Sequence, residues 1–147
     1  DDEEYYQKSF IDNIDLVIDN PVERADAKDL KPGAYAPIRS IEMGTMALIN
    51  SKFQCEFDND HASFKWKNDH YFMGKHHLIP MQHYLDYKLD IDHPYNIYCL
   101  CPNCHRRIQC SNKRDKNQMI SHLYNLRKDK FLDIYKSSLG KIKRYYS

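Results

Sequence analysis

Apolar residues at Phe10, Ile14, Val17 and Ile18 follow the spacing of one helical face, so the opening DDEEYYQKSFIDNIDLVIDN predicts an amphipathic helix. The period then fails. Residues 20–37, NPVERADAKDLKPGAYAP, hold three Pro and a Gly without a sustained repeat, the composition of a linker or an extended arm. Residues 1–37 are therefore expected to form an N-terminal helix and linker, either the tail of an upstream region or a docking segment. A second helical rhythm, Ile38, Ile41, Met46, Leu48, Ile49 and Phe53 with Gly44 interrupting it, predicts a helix that delivers Cys55 to the next segment. Residues 70–80, HYFMGKHHLIP, read as a strand that tolerates a bulge at Gly74 and stops at Pro80. After a loop, MQHYLDYKLDIDHP, Tyr95–Leu100 alternates with Ile97 and Leu100 on its apolar side, a second strand. Cys104 onward looks like the first turns of a helix. Ile120, Leu123, Leu126, Phe131, Ile134 and Tyr135 extend a closing helix over 117–139 with Gly140 as its stop, and 141–147 is left as a basic, aromatic tail that frays or touches nucleic acid. The expected class is α+β, with the main domain over 38–140.

Composition narrows the picture. The chain has 147 residues, 41% hydrophobic, with a mean hydropathy of −0.81, so its core is modest and a metal would help to staple it. No apolar run is long enough to span a bilayer and no charged-then-apolar leader opens the chain, so a soluble, cytoplasmic protein without a membrane partner is expected. Five cysteines, two of them in a C-x-x-C, favour metal binding in a reducing compartment over disulfides. The net charge of +1 hides an asymmetry: −6 over residues 1–31, −2 over 32–104 and +9 over 105–147. The basic third, with Arg106, Arg107, Lys113, Arg114, Lys116, Arg127, Lys128, Lys130, Lys136, Lys141, Lys143 and Arg144, offers a phosphate-binding face, although such runs are more often solvated helix surface.

The chemistry-bearing residues concentrate between 55 and 110. Zinc takes four soft or borderline ligands in a tetrahedron, commonly assembled from two short-range pairs. Cys55 with His61, and Cys101 with Cys104, meet that requirement. Asp58 is the rival for the place of His61, and Cys110 is a more distant one. Two buried thiols without a metal are the plainer alternative. His76 and His77 are neighbours on a strand, so their rings point to opposite faces and cannot share one task. Asn96 sits among apolar residues, and His105 follows the knuckle directly. His70, His83, His93 and His122 stand alone, with no ligand at useful spacing, and read as structural. Cys99 and Cys110 read as small buried residues.

A His pair followed by Leu-Ile-Pro on one strand, an Asn on the next, and Leu-Cys-Pro-Asn-Cys-His-Arg opening a helix resemble the HNH nucleases. The likeness covers roughly residues 53–135. The fuller run, from Cys-Glu-Phe-Asp at 55 through His61-Ala-Ser-Phe and His76-His77-Leu-Ile-Pro-Met to Cys-Pro-Asn-Cys-His-Arg, is most similar to the HNH domains of restriction endonucleases directed at modified cytosine. The resemblance implies a ββα-metal core, with a structural zinc knuckle and flanking helices. It implies that His76 and His105 bind a catalytic divalent ion, Mg2+ or Mn2+. His77 would be the general base, and Asn96 would hold the loop that carries it. Where many members place a further His, this chain has Gln109, whose amide oxygen can also coordinate such an ion.

The function so implied is metal-dependent hydrolysis of DNA phosphodiesters, as the cleavage domain of a restriction or antiphage defence protein, with a recognition domain or subunit as partner and pairing of two copies as an option. The alternative is a zinc-stabilised nucleic-acid-binding or interaction module with a degenerate nuclease site. RNA as substrate stays open.

Overall fold

The computed structural model describes residues 20–26, 28, 30, 32, 40–67 and 69–147. The expected N-terminal helix and part of the arm lie outside the described residues. The rest is a small α+β domain built on a two-stranded antiparallel sheet.

Helix α1, Ile41–Asn50, starts where the Ser40 hydroxyl accepts from the Met43 N–H, an N-cap that satisfies one of the free donors of the first turn. Gly44 does not interrupt it. The helix runs through Gly44, which is buried with Thr45, Met46, Ala47 and Leu48. Lys52 and Phe53 then take positive φ, 57° and 56°, which turns the chain back towards Cys55. Strand β1, Gly74–His77, pairs with β2, Ile97–Leu100, with Gly74 opposite Leu100 and His77 opposite Ile97. The segment between them is more ordered than its composition suggests: Met81–Asp86 forms a 3-10 helix, and Ile91, Asp92 and His93 are buried.

Helix α2, Pro102–Cys110, follows β2 directly. Pro102 occupies the first turn, where its missing N–H costs nothing, and the Cys101 sulfur accepts from the Cys104 N–H. Helix α2 packs on both strands and on α3, Lys113–Leu126, which is capped by Asn112. The closing helix differs from expectation. It breaks at Arg127, resumes as a π-helical turn over Lys130–Ile134, and starts again at Ser138 as α4, Leu139–Tyr145. Gly140 lies in the first turn of α4 and stops nothing. The segment 141–147 is not a loose tail, because Ile142 is fully buried and Tyr146 is hydrogen-bonded inside the domain.

The break in the closing helix has a purpose in the packing. Arg127 leaves the helical path and directs its Nη1 to the carbonyls of Pro94, Tyr95 and Ile97, at 2.6, 3.1 and 2.8 Å, and its Nη2 to Glu56 Oε1 at 2.7 Å. The guanidinium carbon lies 3.9 Å from the centre of the Tyr98 ring. Glu56 uses its other oxygen to accept from the Cys99 N–H at 2.6 Å. Arg127 thus leaves the basic face on which the sequence placed it and serves as an internal fastener. Arg107 also spends its charge internally, on Asp115. Breaking a partly buried, multiply bonded ion pair from one side costs about 3–5 kcal/mol. Arg127→Ala should therefore lower the unfolding free energy by about 3 kcal/mol in urea denaturation; a loss below about 1 kcal/mol would show that solvent replaces these bonds.

Candidate metal and catalytic centres

The turn after α1 and the start of α2 bring Cys55, His61, Cys101 and Cys104 together, one ligand atom from each, all within 4.8 Å of one another. Ligands held 2.0–2.3 Å from one zinc ion stand about 3.3–3.8 Å apart, so small side-chain adjustments close the tetrahedron. His61 Nδ1 is 3.1 Å from Cys104 Sγ and 3.8 Å from Cys101 Sγ. Asp58 stands outside the cluster. Its carboxylate lies 3.6 Å from His61 Nε2, on the far side of the ring, where it favours the tautomer with a lone pair on Nδ1. Cys110 is exposed, contrary to the expectation of a buried residue, and stands outside the cluster. Cys99 is buried as expected, and burial pushes its thiol up to about 12. Burial and the sulfurs of Cys101 and Cys55 push the Cys104 thiol up as well, which disfavours a bare thiolate there. A cation that accepts the thiolates is the chemical answer to such a set, and four Cys/His donors suit an ion such as zinc.

A second group gathers on the other side of α2. Successive helical residues are rotated by about 100°, so Cys104 faces the thiol cluster while His105 turns towards β1. The His105 and His76 ring centres are 5.7 Å apart, and the Gln109 amide is 3.5 Å from His105 Nε2. Gly74 is needed for this approach. A Cβ there would come within 2.3 Å of His105 Nδ1, so the residue read as a bulge position makes room for an imidazole.

His76 is buried, and burial first, then the neighbouring His105 and His77, hold its pKa well below the usual range, so it stays neutral. Its Nε2 lies 2.9 Å from the Tyr146 hydroxyl. That hydroxyl has one proton and directs it to the Leu78 carbonyl at 2.6 Å. His76 Nε2–H must therefore donate, which leaves the His76 lone pair on Nδ1.

His77 points to the opposite face, as the strand alternation requires. Its Nε2 lies 2.7 Å from Asp92 Oδ1, and both side chains are buried. The carboxylate accepts, so the lone pair of neutral His77 is again on Nδ1. Asp92 is itself held, with Oδ2 accepting from the Ser40 N–H and its own N–H donating to Asp90 Oδ1. Asn96, fully buried, accepts from the Ile79 N–H and donates to the Ile79 and Ile91 carbonyls at 2.8, 3.0 and 2.9 Å. It ties the residues just after His77 to the segment that carries Asp92.

Sequence reasoning missed Asp92 and Tyr146. Asp92 lay in a segment read as a loop, and the available signal was an acid flanked by Ile91 and His93. Tyr146 lay in a presumed tail. The remaining histidines are structural: His93 Nε2 bonds the Asn20 carbonyl, His70 stacks on Phe53, His122 meets Phe57 edge-on, and His83 stacks on Tyr145.

The chain matches no model of a known protein family, and no curated protein matches it at a significant level. Among the described residues no helix is long and apolar enough to cross a membrane.

Two outcomes are expected of these centres. Elemental analysis should find one tightly held zinc per chain, and Cys104→Ser should lose it together with cooperative thermal unfolding. Gly74→Ala should keep the zinc while displacing the His105 ring, visible as a shift of its imidazole proton resonances and of no thiol-cluster signal.

Proposed function

We propose that this chain is an HNH-type nuclease domain with a ββα-metal core, which hydrolyses DNA phosphodiesters in a metal-dependent way. The observation that carries the reading is the separation of two donor sets across α2. A sulfur-rich set braces the scaffold, and an imidazole set, His76 with His105, lies beside the buried His77–Asp92 pair. A purely structural zinc module would have no use for the second set.

His76, His105 and Gln109 would hold a hard divalent ion, Mg2+ or Mn2+, which when bound would stabilise the charge that grows on the scissile phosphate and the leaving oxygen. The chain's own residues account for the proton. When His77 is neutral its lone pair is on Nδ1, the nitrogen that would take the proton of the attacking water. Asp92, 2.7 Å from Nε2, fixes that tautomer and stabilises the imidazolium once formed. Asn96 holds the backbone on which His77 rides, and Tyr146 does the same for the ring of His76. A base so placed contributes typically 100- to 10,000-fold.

Phosphate contacts orient a nucleic acid without reading its bases, so target choice is assigned to another domain or subunit of a restriction or antiphage defence protein. The competing reading, a zinc-stabilised binding module, draws on Gln109, which is exposed and replaces a stronger nitrogen ligand.

Plasmid nicking with Mg2+ or Mn2+ separates the two. His77→Ala should reduce nicking by at least about 100-fold while fold and zinc content persist, and Asp92→Asn should give a smaller loss of about 10-fold or more. Equal nicking by parent and His77→Ala would remove His77 from its role, and an inactive parent would favour the binding module.

A further inference from the structure

Lys113 and Lys116 stand in the first turns of α3, and Lys143 in the last turn of α4. Distant in the chain, the three residues line one cavity of about 220 Å³, together with Asn117, Tyr146 and Ser147. No Asp or Glu side chain lines it. The nearby Asp115 is committed to Arg107. Lys113 and Lys116, at the N-terminal end of α3, oppose the helix dipole there, so an anion entering the cavity is favoured. A solvated lysine face would not need to close around a cavity. This one has Tyr146 as a wall, and the hydroxyl of Tyr146 is 2.9 Å from His76 Nε2. Tyr146 therefore belongs both to the cavity lining and to the imidazole centre.

We propose that Lys113, Lys116 and Lys143 form a subsite for a backbone phosphate of DNA, beside the phosphodiester held at His76 and His105, with Asn117 as a neutral donor. The choice of DNA as ligand rests on the nuclease reading, whereas the anion subsite rests on the cavity alone. Through Tyr146, a strand seated here is registered against His76.

The test uses the full chain and a fluorescently labelled DNA duplex, with binding followed by anisotropy over a series of salt concentrations and no magnesium or manganese added. Lys116→Gln/Lys143→Gln should weaken binding by about 10-fold and reduce the slope of log affinity against log salt by about one to two. Lys65→Gln/Lys67→Gln, in the segment before β1, should leave both unchanged. Melting temperature and zinc content of both variants should equal the parent's. Parent-like affinity and slope in the Lys116/Lys143 variant would overturn the subsite, as would a parent that binds no duplex. Inorganic phosphate should displace the duplex no better than chloride at equal ionic strength; markedly stronger displacement would replace the backbone assignment with a site for free phosphate. The two proposals fail separately. Binding with the expected slope change and no nicking by the parent keeps the subsite and removes the nuclease reading, while nicking with an unchanged slope does the reverse.

Discussion

The guanidinium of Arg127 is the constraint on which this small domain depends. Three backbone carbonyls before and within β2 would otherwise need solvent, and Glu56 would otherwise be a half-buried carboxylate with no counter-charge. One planar cation satisfies all of them, and lies flat on Tyr98 while doing so. The three connected pieces are the end of α3, the entry to β2, and the turn that carries Cys55. Together with the direct bonds between Glu56 and Cys99, that link places Cys55 relative to Cys101 and Cys104, and a four-ligand cluster requires that position to within a fraction of an ångström.

Helix α2 then divides the work. Cys104 and His105 are consecutive, and the helical turn between them sends one to the thiol cluster and the other to the imidazole group. On β1 the alternation of a strand does the same for His76 and His77. Both divisions use the ordinary geometry of a regular element to keep two chemistries apart at short range. Tyrosines fill much of the remaining core, and their hydroxyls are bonded rather than left dry: Tyr98 to the Leu123 carbonyl, Tyr124 to that of Ser137, Tyr135 to that of Asp90.

What could be read from the sequence was local. The C-x-x-C turn, the strand alternation at His76 and His77, and the short helix after Cys101 depend on neighbours in the chain, and each was visible there. The thiol cluster was legible as two pairs, although only the fold shows that His61 turns Nδ1 to the sulfurs while Asp58 lies on the Nε2 side. What was not legible depended on partners far away in sequence. Arg127 looked like one more cation on a helix, because nothing near it announces carbonyls some thirty residues earlier. Its capture of those carbonyls is also why an apolar pattern continuous from 117 to 139 yields a helix, a π-helical turn and a second helix. Cys110 looked apolar enough to bury, yet it ends α2 on the outward side, where its thiol meets solvent.

The placement of α4 bears on where this domain can be cut. A boundary at Gly140, where a glycine follows a long amphipathic stretch, invites a shortened version for expression. Such a version would remove Ile142 from the interior and take away the hydroxyl that orients His76. The few residues that look most expendable are thus a doorpost of the imidazole chamber, and trimming them reaches the heart of the molecule.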